Sequence, residues 1–461
     1  MSQRSTRASR TAVILIAVVG GLCGPQSPIL AAPLDPGVRH AATDGGPPEP
    51  LPDLTGDEQA FFQDGLARFQ AVEAVSGAAN NGLGPRFNSD QCSSCHAHPY
   101  VGGSSPPSNP QIAVATADGA TNSVPWFVVP NGPVREARFI ESNGVSDGSV
   151  HALFVITGRS DAGNCALTQP NFQPAGNGLT GQGGNPNIAL RIPTPIMGDG
   201  LIESIPDSAI TANMAANAQA KAAVGIGGQP NRSGNDGTIT RFGWKAQNKS
   251  LLMFSGEAYN VEMGISNQLF PQDRDETPNC QGAFPTPNDT LNFSATSNTA
   301  VLSDIEGFAN FMRLLAPPAP GPATASTQNG LLQFTRIGCA LCHTPALMTG
   351  TAIASGSATA PSAALSNQSA KLFSDLLVHH MGSGLADGLT QGNAGPDQFR
   401  TAPLWGVGER IFFLHDGRTS NIVQAVEAHA SRGSEANGVV ERFNSLPEQA
   451  QQDLINFLRS L

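Results

Sequence analysis

The sequence predicts a mainly α-helical protein with two similar domains, in which long irregular loops and a few short strands interrupt the first domain. Three observations support this fold class. The pattern Cys-x-x-Cys-His occurs at 92–96 and again at 339–343. A helical pattern precedes each copy, and another follows it much later in the chain. The 461 residues include 51 Gly and 36 Pro, so the chain is long enough for more than one domain and rich in loop-forming residues.

The N-terminus has the features of an export signal. The basic segment 1–10 is followed by the apolar run TAVILIAVVGGL, which is too short to span a bilayer, and then by the small residues of PILAAP. We expect cleavage near Ala31, which gives a signal peptide over 1–32 and a flexible N-terminal segment over 33–53. No other segment has the length and apolarity of a membrane span. We therefore predict that the mature protein is periplasmic.

Two helical patterns flank each motif. GDEQAFFQDGLARFQAV precedes the first motif and TQNGLLQFTRIG precedes the second. The helices that follow are LSDIEGFANFMRLLAPP, which Ser303 or Asp304 can cap, and the C-terminal PEQAQQDLINFLRSL. The end of each of these two helices contains Asn-Phe-(Met/Leu)-Arg-x-Leu. We predict one domain over 54–320 and another over 321–461, joined by the linker APPAPGPATAS.

The first domain contains long stretches rich in Gly, Asn and Pro, such as QPNFQPAGNGLTGQGGNPN. The short apolar runs VPWFVVP and HALFVIT between them are candidate strands. Cys165 and Cys280 are the two cysteines outside the signal and the motifs, and we predict that they form a disulfide in an oxidising compartment. The alternative is a pair of buried thiols.

Cys-x-x-Cys-His is the attachment sequence of a covalent c-type haem. His96 and His343 would then be the proximal iron ligands. Four thiols would form thioethers to the two porphyrins: Cys92, Cys95, Cys339 and Cys342. A zinc site or a redox dithiol are the alternatives, but neither explains the histidine after each motif. A helix before the motif and a closing helix are the layout of a cytochrome c fold, so we predict two cytochrome c-like haem domains. The formal net charge of −11 argues against a nucleic-acid partner.

The ligand on the other side of each iron decides between two functions. A strong sixth ligand gives an electron carrier, whereas a vacant or displaceable position lets peroxide or dioxygen reach the metal. His429 is the most informative candidate. It lies in TSNIVQAVEAHASRG, a predicted helix that Ser420 can cap, and it shares one stripe with Ile422 and Val426. This pattern alone is also compatible with a second interpretation, in which His429 is a hydrogen-bonded histidine of the hydrophobic core.

The segment FRTAPLWGVGERIFFLHDGRTSNIVQAVEAH, which ends at His429, resembles the C-terminal haem domain of the bacterial di-haem cytochrome c peroxidases. The resemblance implies that His429 is the second axial ligand of the His343 haem. The matching residue is Met in those peroxidases, Tyr in the methylamine-utilisation di-haem enzyme and His in rubber oxygenase. Relative to Met, His favours the ferric state and lowers the reduction potential.

A similarity over nearly the whole chain links it to the di-haem oxidoreductase family. The segments RFNSDQCSSCHAHPYVGGSSP, MGDGLIESIP, RFGWKAQNKSLLMFSGEAYNVEMGISNQLFP and DLLVHHMGSGLADG carry this similarity. It implies that Glu262 of NVEMG lies over the open face of the first haem, where a carboxylate can move a proton between the two peroxide oxygens. It also implies that Trp244 relays electrons between the haems. Without the resemblance, Glu262 would be interpreted as a surface residue, and a packed core aromatic remains the alternative for Trp244.

Several further residues have weaker assignments. Arg191 in LRIPTP and Arg400 in FRTAP could pair with haem propionates or lie at the surface. His415 is expected beside a haem rather than on the iron. No role is assigned to the run HHM at 379–381. Ile192 after Arg191, and a segment ERIFFLHDG without Thr or Pro, argue against the calcium site of the related peroxidases.

Together these features predict an enzyme that reduces hydrogen peroxide at the first haem with electrons relayed through the bis-His second haem. The reductant would be a small periplasmic cytochrome c, a copper protein or an oxidisable protein side chain. Two alternatives stay open. One is a di-haem electron-transfer cytochrome without catalysis. The other is an oxygenase of the rubber-oxygenase kind, against which Glu262 counts.

Overall fold

The structure, a computed structural model, describes ten parts of the chain: residues 1, 32–40, 45–75, 82–120, 122–142, 144–156, 167–172, 187–272, 288–354 and 360–461. The described residues of Pro33–Leu461 form one compact unit. The cleavage site of the predicted signal peptide lies outside the described residues. So do Cys165 and Cys280, the predicted disulfide pair.

Twelve α-helices occur in the described ranges. They are α1 (Gly56–Phe69), α2 (Cys92–Cys95), α3 (Gln111–Ala117), α4 (Asp199–Glu203), α5 (Asp207–Ala215), α6 (Ala218–Ala222), α7 (Leu251–Met263), α8 (Asp304–Leu314), α9 (Ala325–Ile337), α10 (Ile422–Glu427), α11 (Asn437–Asn444) and α12 (Glu448–Ser460). Within these ranges no helix has both the length and the apolarity to cross a membrane.

Thirteen short strands form six small sheets in the same parts of the chain, none of which is a barrel. They are β1 (Arg86–Phe87), β2 (Glu136–Phe139), β3 (Glu141–Ser142), β4 (Val145–Ser146), β5 (Val150–His151), β6 (Phe154–Val155), β7 (Ile188–Arg191), β8 (Ser266–Asn267), β9 (Asn288–Asp289), β10 (Leu347–Met348), β11 (Ser369–Ala370), β12 (Val378–His380) and β13 (Gln398–Arg400). The largest sheet is antiparallel with the order β5–β2–β7, and it places Ala137 between His151 and Leu190.

The structure is therefore mixed rather than mainly helical, which corrects the predicted class. Strands also occur after residue 321, where β12 pairs with β13, although strands were expected only in the first domain. Strands of two or three residues are too short to show an alternating pattern, so the sequence does not reveal them. HALFVIT contains β6, as predicted, whereas VPWFVVP forms turns instead of a strand.

The helix pair α1 and α8 confirms two of the predicted helices and packs closely. Thr55 caps α1 in a capping box with Glu58, and Ser303 caps α8 in the same way. Gly65 of α1 lies against the backbone of Gly307 in α8, and a side chain there would collide with it. The absence of a Cβ atom at Gly65 allows this close crossing.

The pair α9 and α12 repeats this arrangement beside the second motif. Thr324 caps α9, and Gly330 lies against the backbone of Asp453 in α12. Phe311 of α8 and Phe457 of α12, which occupy matching positions in the sequence repeat, each pack against the preceding helix of their pair. The repeat found in the sequence is thus also a repeat of helix packing. A cytochrome c fold for each half stays a prediction.

Two main hydrophobic cores follow these helix pairs. The first contains Phe62, Phe69 and Phe311, all of them buried. The second contains Phe334 and Phe443 and is built around α9, α11 and α12. Buried apolar residues from 347–377 also belong to the first core, so that core draws on both halves of the chain.

The segment 33–40 is in contact with the C-terminal part of the chain. Asp35 forms an ion pair with Arg459, with oxygen–nitrogen distances of 2.7 Å for both carboxylate oxygens. Its carboxylate also accepts a hydrogen bond from the backbone N–H of Ile422 at 2.8 Å, at the first residue of α10. Arg39 forms an ion pair with Glu409 at 2.8 Å. The Asp35 contacts connect the start of α10 to the end of α12.

Candidate functional site

The first Cys-x-x-Cys-His motif forms a single helical turn that ends in His96. The His96 backbone N–H donates to Cys92 O at 3.1 Å, and the His96 ring nitrogen Nδ1 lies 3.2 Å from Gly103 O. A carbonyl partner fixes the proton on Nδ1 and leaves Nε2 available for a metal. Burial lowers the pKa of His96 to about 4, so the ring is neutral, the form that ligates iron.

This motif lines a cavity that is partly open to solvent and contains about 1210 Å³ of empty space, the adjoining solvent included. Phe69 lines it and meets the His96 ring edge-on, with 6.0 Å between the ring centroids. Most of the wall is apolar, including Ile196, Met263 and Met312. Both motif cysteines line the cavity as well, where thioether bonds to a porphyrin would form.

A pair of carboxyl groups faces the same cavity. Glu262, near the end of α7, accepts a hydrogen bond from Asn88 Nδ2 at 2.9 Å. Glu136 of β2 lies within hydrogen-bonding distance of Glu262 and accepts from Arg138 Nε at 2.8 Å. Burial and the charge of Glu136 raise the pKa of Glu262 well above its ordinary value. Burial would also raise the pKa of Glu136, but the Arg138 guanidinium, the hydrogen bond with Glu262 and the charge of Arg191 together hold that pKa below the ordinary value.

The second motif follows α9 directly. Gly338 ends α9 with a φ of 108°, a left-handed conformation that glycine adopts without strain. The His343 backbone N–H donates to Cys339 O at 2.9 Å, and its Nδ1 lies 3.0 Å from Phe373 O. Burial lowers the pKa of His343 to about 4. This histidine is therefore neutral and oriented in the same way as His96.

His429 lines the same cavity as His343, which is partly open to solvent and contains about 1440 Å³ of empty space, the adjoining solvent included. Its Nδ1 lies 2.7 Å from Ala425 O, which again leaves Nε2 available. Burial lowers the pKa of His429, so both rings are neutral. α10 ends at Glu427 and is capped by Asn421 rather than by Ser420, which corrects the predicted helix. The side-chain oxygen of Asn421 accepts from two backbone N–H groups of the first turn, and this fixes the start of the helix.

Trp244 lines both cavities. Its indole N–H donates to Ile192 O at 2.9 Å, which fixes the ring. The His415 ring lies edge-on to Trp244 at 6.4 Å between ring centroids, and Phe399 stacks on His415 at 4.3 Å. The wall between the two cavities is therefore a packed aromatic group, and Trp244 is the member that reaches both.

Two arginines face the second cavity, Arg400, which is buried, and Arg410, which is partly exposed. Arg400 donates through Nη1 to Arg241 O at 2.7 Å, and its Nε has no hydrogen-bond partner among the described residues. Arg410 lines the same cavity. A buried guanidinium with an unpartnered N–H matches the carboxylate of a haem propionate. Arg191 lines the first cavity but is already paired with Asp387.

These features fit one haem in each cavity. Each cavity has a motif at its edge, a neutral histidine oriented for ligation and a mostly apolar lining. The two cysteine pairs line different cavities, so they do not assemble the four-cysteine zinc site that was the alternative. Burial raises the pKa of all four thiols, which disfavours the thiolates that zinc requires.

The comparison with protein families agrees with this arrangement. A family model described as di-haem oxidoreductase, putative peroxidase, matches residues 184–461, which is more than half of the chain. The chain belongs to the di-haem oxidoreductase family. A search of the curated proteins found no match. The matched range contains Trp244, Glu262, the second motif and His429, whereas the first motif precedes it.

In this di-haem oxidoreductase, the structure brings most predicted site residues to the two cavities. Glu262 and Arg191 lie at the first cavity, Arg400 and His429 lie at the second, and Trp244 lies at both. His415 lines the second cavity, beside the aromatic wall. Their roles in binding and catalysis remain predictions.

The predictions missed Glu136 and Arg138, which lie on one face of β2 at positions i and i+2. Charged residues at alternate positions within REARF were the available signal, because a charge repeated every second residue on a strand points to one side.

His379 belongs to a polar cluster at the edge of the second cavity. Its Nδ1 lies 2.7 Å from Glu435 Oε2 and 3.7 Å from Cys342 Sγ, and its Nε2 lies 3.0 Å from Asp375 Oδ2. Burial would lower the pKa of His379, but Asp375 and the other partners raise it well above the ordinary value. Cys342, Asp375 and His379 are close enough to share a metal ion, but a thioether at Cys342 would remove the thiolate ligand.

Proposed function

We propose that this di-haem oxidoreductase reduces hydrogen peroxide to two waters in the first cavity, with electrons that arrive through the second. A haem bound covalently in each cavity would supply the iron that binds peroxide and the redox centre that delivers electrons. The main observation that supports this proposal is the Glu262 carboxyl group in the cavity that contains His96. A carboxyl group at that place can transfer the protons on which cleavage of the O–O bond depends.

The two cavities differ in a way that supports separate roles. His343 and His429 line the second cavity, both neutral and each with Nε2 available, and bis-His ligation leaves an iron no position for peroxide. Among the described residues that line the first cavity, His96 is the single histidine. The first cavity is therefore the better place for a reacting iron, and the second for an electron relay.

Each of the remaining residues has a task in this proposal. Glu262 transfers protons at the peroxide oxygens, and Arg138 supplies a buried positive charge beside them. Trp244 provides the aromatic contact between the two cavities. Arg400 and Arg410 hold the carboxylates of the second haem. The electron donor is a small cytochrome c, a copper protein or an oxidisable protein side chain, and the protein acts in the periplasm after export.

Substitution of Glu262 by glutamine tests this function. Glutamine has nearly the same shape but does not ionise, so peroxide turnover should fall by roughly 10²-fold or more. Steady-state turnover is measured with a reduced small cytochrome as donor, on protein shown to contain two haems. Wild-type turnover in such a preparation would remove Glu262 from the mechanism.

Met263 and Met312 favour a second candidate function, that of a plain electron carrier. Both line the first cavity, and a Met thioether is a common second ligand of haem iron in cytochromes c. The ferric optical spectrum separates the two functions. A high-spin fraction that changes on addition of peroxide supports the enzyme. Two low-spin haems whose spectra do not change on addition of peroxide, in both the ferric and the half-reduced states, support the electron carrier. The polar carboxyl pair does not favour the oxygenase alternative.

A further inference from the structure

The carboxyl groups of Glu136 and Glu262 form a contact that requires a proton. They lie within hydrogen-bonding distance of each other and face the same cavity. An ionised carboxylate has acceptors only, so two of them cannot form a hydrogen bond. Two carboxylates at this distance also repel each other strongly when buried. The contact is therefore stable when one of the two groups is protonated.

The neighbours determine which group carries the proton. Arg138 Nε donates to Glu136 at 2.8 Å, and Arg138 is itself buried and donates through Nη1 to Gly148 O at 3.0 Å. Glu262 has the neutral amide of Asn88 as its donor instead. A guanidinium stabilises an ionised carboxylate more than an amide does. Glu136 is therefore the ionised member, and the directions of the two pKa shifts agree.

We propose that Glu136 and Glu262 act as one acid–base pair that shares a single proton, with Glu136 as its ionised base and Glu262 as its acid. This role in catalysis rests on the peroxidase function proposed above. It changes the assignment of Glu262, because a carboxyl group that is already protonated cannot accept the first proton of peroxide. Glu136 accepts that proton, either directly or through Glu262.

The proton transfers balance across the cleavage step. Glu262 gives its proton to the far oxygen of peroxide while the pair receives the proton of the near oxygen, so the pair holds one proton before and after. The O–O bond breaks, and the far oxygen leaves as water. Two electrons from the protein donor and two protons from solvent then release the near oxygen as the second water. The other charged groups that line the cavity are Arg138, Arg191 and Glu257.

Infrared spectroscopy of the haem-loaded protein tests the pair directly. At pH 8, the difference spectrum of wild type minus Glu262→Gln should contain the C=O band of one protonated carboxyl group. The spectrum of wild type minus Glu136→Gln should contain the same band, because Glu262 ionises beside Arg138 once its anionic partner is gone. Glu257→Gln is the matched control, a carboxyl group at the same cavity outside the pair, and it should keep the band.

A second variant covers the case in which Glu136→Gln does not fold. Arg138→Gln should keep the band, since the pair without its cation retains its proton more firmly. A band that persists in Glu136→Gln, or that disappears in Arg138→Gln, would overturn the pair. So would its absence from the wild type.

Peroxide turnover separates this proposal from the function on which it rests. Both Glu136→Gln and Glu262→Gln should lose turnover by roughly 10²-fold. If the infrared bands are as expected but turnover is unchanged in both variants, the shared proton is supported and the peroxidase function is refuted. The opposite result, loss of turnover in Glu262→Gln without a shared proton, would keep the peroxidase and refute the pair.

Discussion

Replacement of Gly65 by alanine should destabilise the protein, because α1 crosses α8 at this residue. A Cβ atom added at Gly65 would lie 2.9 Å from Phe311 Cβ and closer still to Gly307 O. An ordinary contact begins at 3.4 Å, so the Phe311 contact alone requires the two helices to separate by about 0.5 Å, and the closer Gly307 O requires more. Overpacking of this kind costs roughly 1–3 kcal/mol. This cost exceeds the gain of up to about 1 kcal/mol that alanine gives in a helix.

Urea unfolding of the haem-loaded protein, followed by circular dichroism, measures this effect. Gly56→Ala is the matched control, since it lies in the same helix and an added Cβ would have no atom within 4 Å. The midpoint should fall for Gly65→Ala and stay level or rise for Gly56→Ala. Gly330→Ala should act like Gly65→Ala, because its Cβ would lie 2.6 Å from Phe457 Cβ. Equal midpoints for Gly65→Ala and Gly56→Ala would refute the close crossing.

Three further predictions concern the second cavity and its surroundings. His429→Met should raise the reduction midpoint of the second haem in spectroelectrochemistry, and an unchanged potential would exclude His429 as its ligand. Trp244→Phe should slow electron transfer between the haems in stopped-flow measurements, whereas Trp126→Phe, at an exposed site that lines neither cavity, should not. Asp35→Asn should lower the free energy of unfolding by roughly 1.5–3 kcal/mol at pH 7, through its hydrogen bonds with Arg459. Burial would raise the pKa of Asp35, but Arg459 holds it below 3.8, so this difference should be present above pH 3.8 and disappear as the pH falls through the lower, folded-state pKa. A difference that persists in acid would contradict the ion pair.

The helices around the motifs were predictable from the sequence because their signals are local. Ser303 caps α8 as expected, and the apolar period of α12 continues to the C-terminus. The haem motifs are equally local, since five consecutive residues define each one. The family prediction is confirmed as well, because its signals lie in contiguous segments that the family model also matches.

The carboxyl pair was not predictable in the same way. Glu136 and Glu262 are 126 residues apart, and only the packing of β2 near α7 brings them together. An exposed glutamate and a partly buried, paired one look the same in a single sequence. The end of α10 was also misjudged, because Ser420 and Asn421 are both good caps and the choice depends on which side chain reaches the N–H groups of the first turn. Such features depend on tertiary contacts that no local pattern contains.

The two cavities are built on the same kind of helix pair, which we call the frame (α1 with α8, and α9 with α12), and they differ in the segments added to it. Phe69 lies 6.0 Å from the His96 ring, and Phe334 lies 6.2 Å from the His343 ring, at equivalent positions of the repeated helix pairs.

The residues that distinguish the cavities lie outside this repeat. Glu136 and Glu262 reach the first cavity from β2 and α7, and His429 reaches the second from the segment that directly follows α10. If the repeat arose by duplication, the frame would give two similar haem sites. The acid–base pair in one and the second histidine in the other would then give them different tasks. Removal of His429 should therefore make the second haem reactive toward peroxide without making it efficient, because the second cavity has no carboxyl pair equivalent to Glu136 and Glu262 among its described lining residues. The test is to measure peroxide turnover by a His429→Ala protein in which the first site has also been inactivated. Turnover as fast as that of the wild type would contradict this division of tasks.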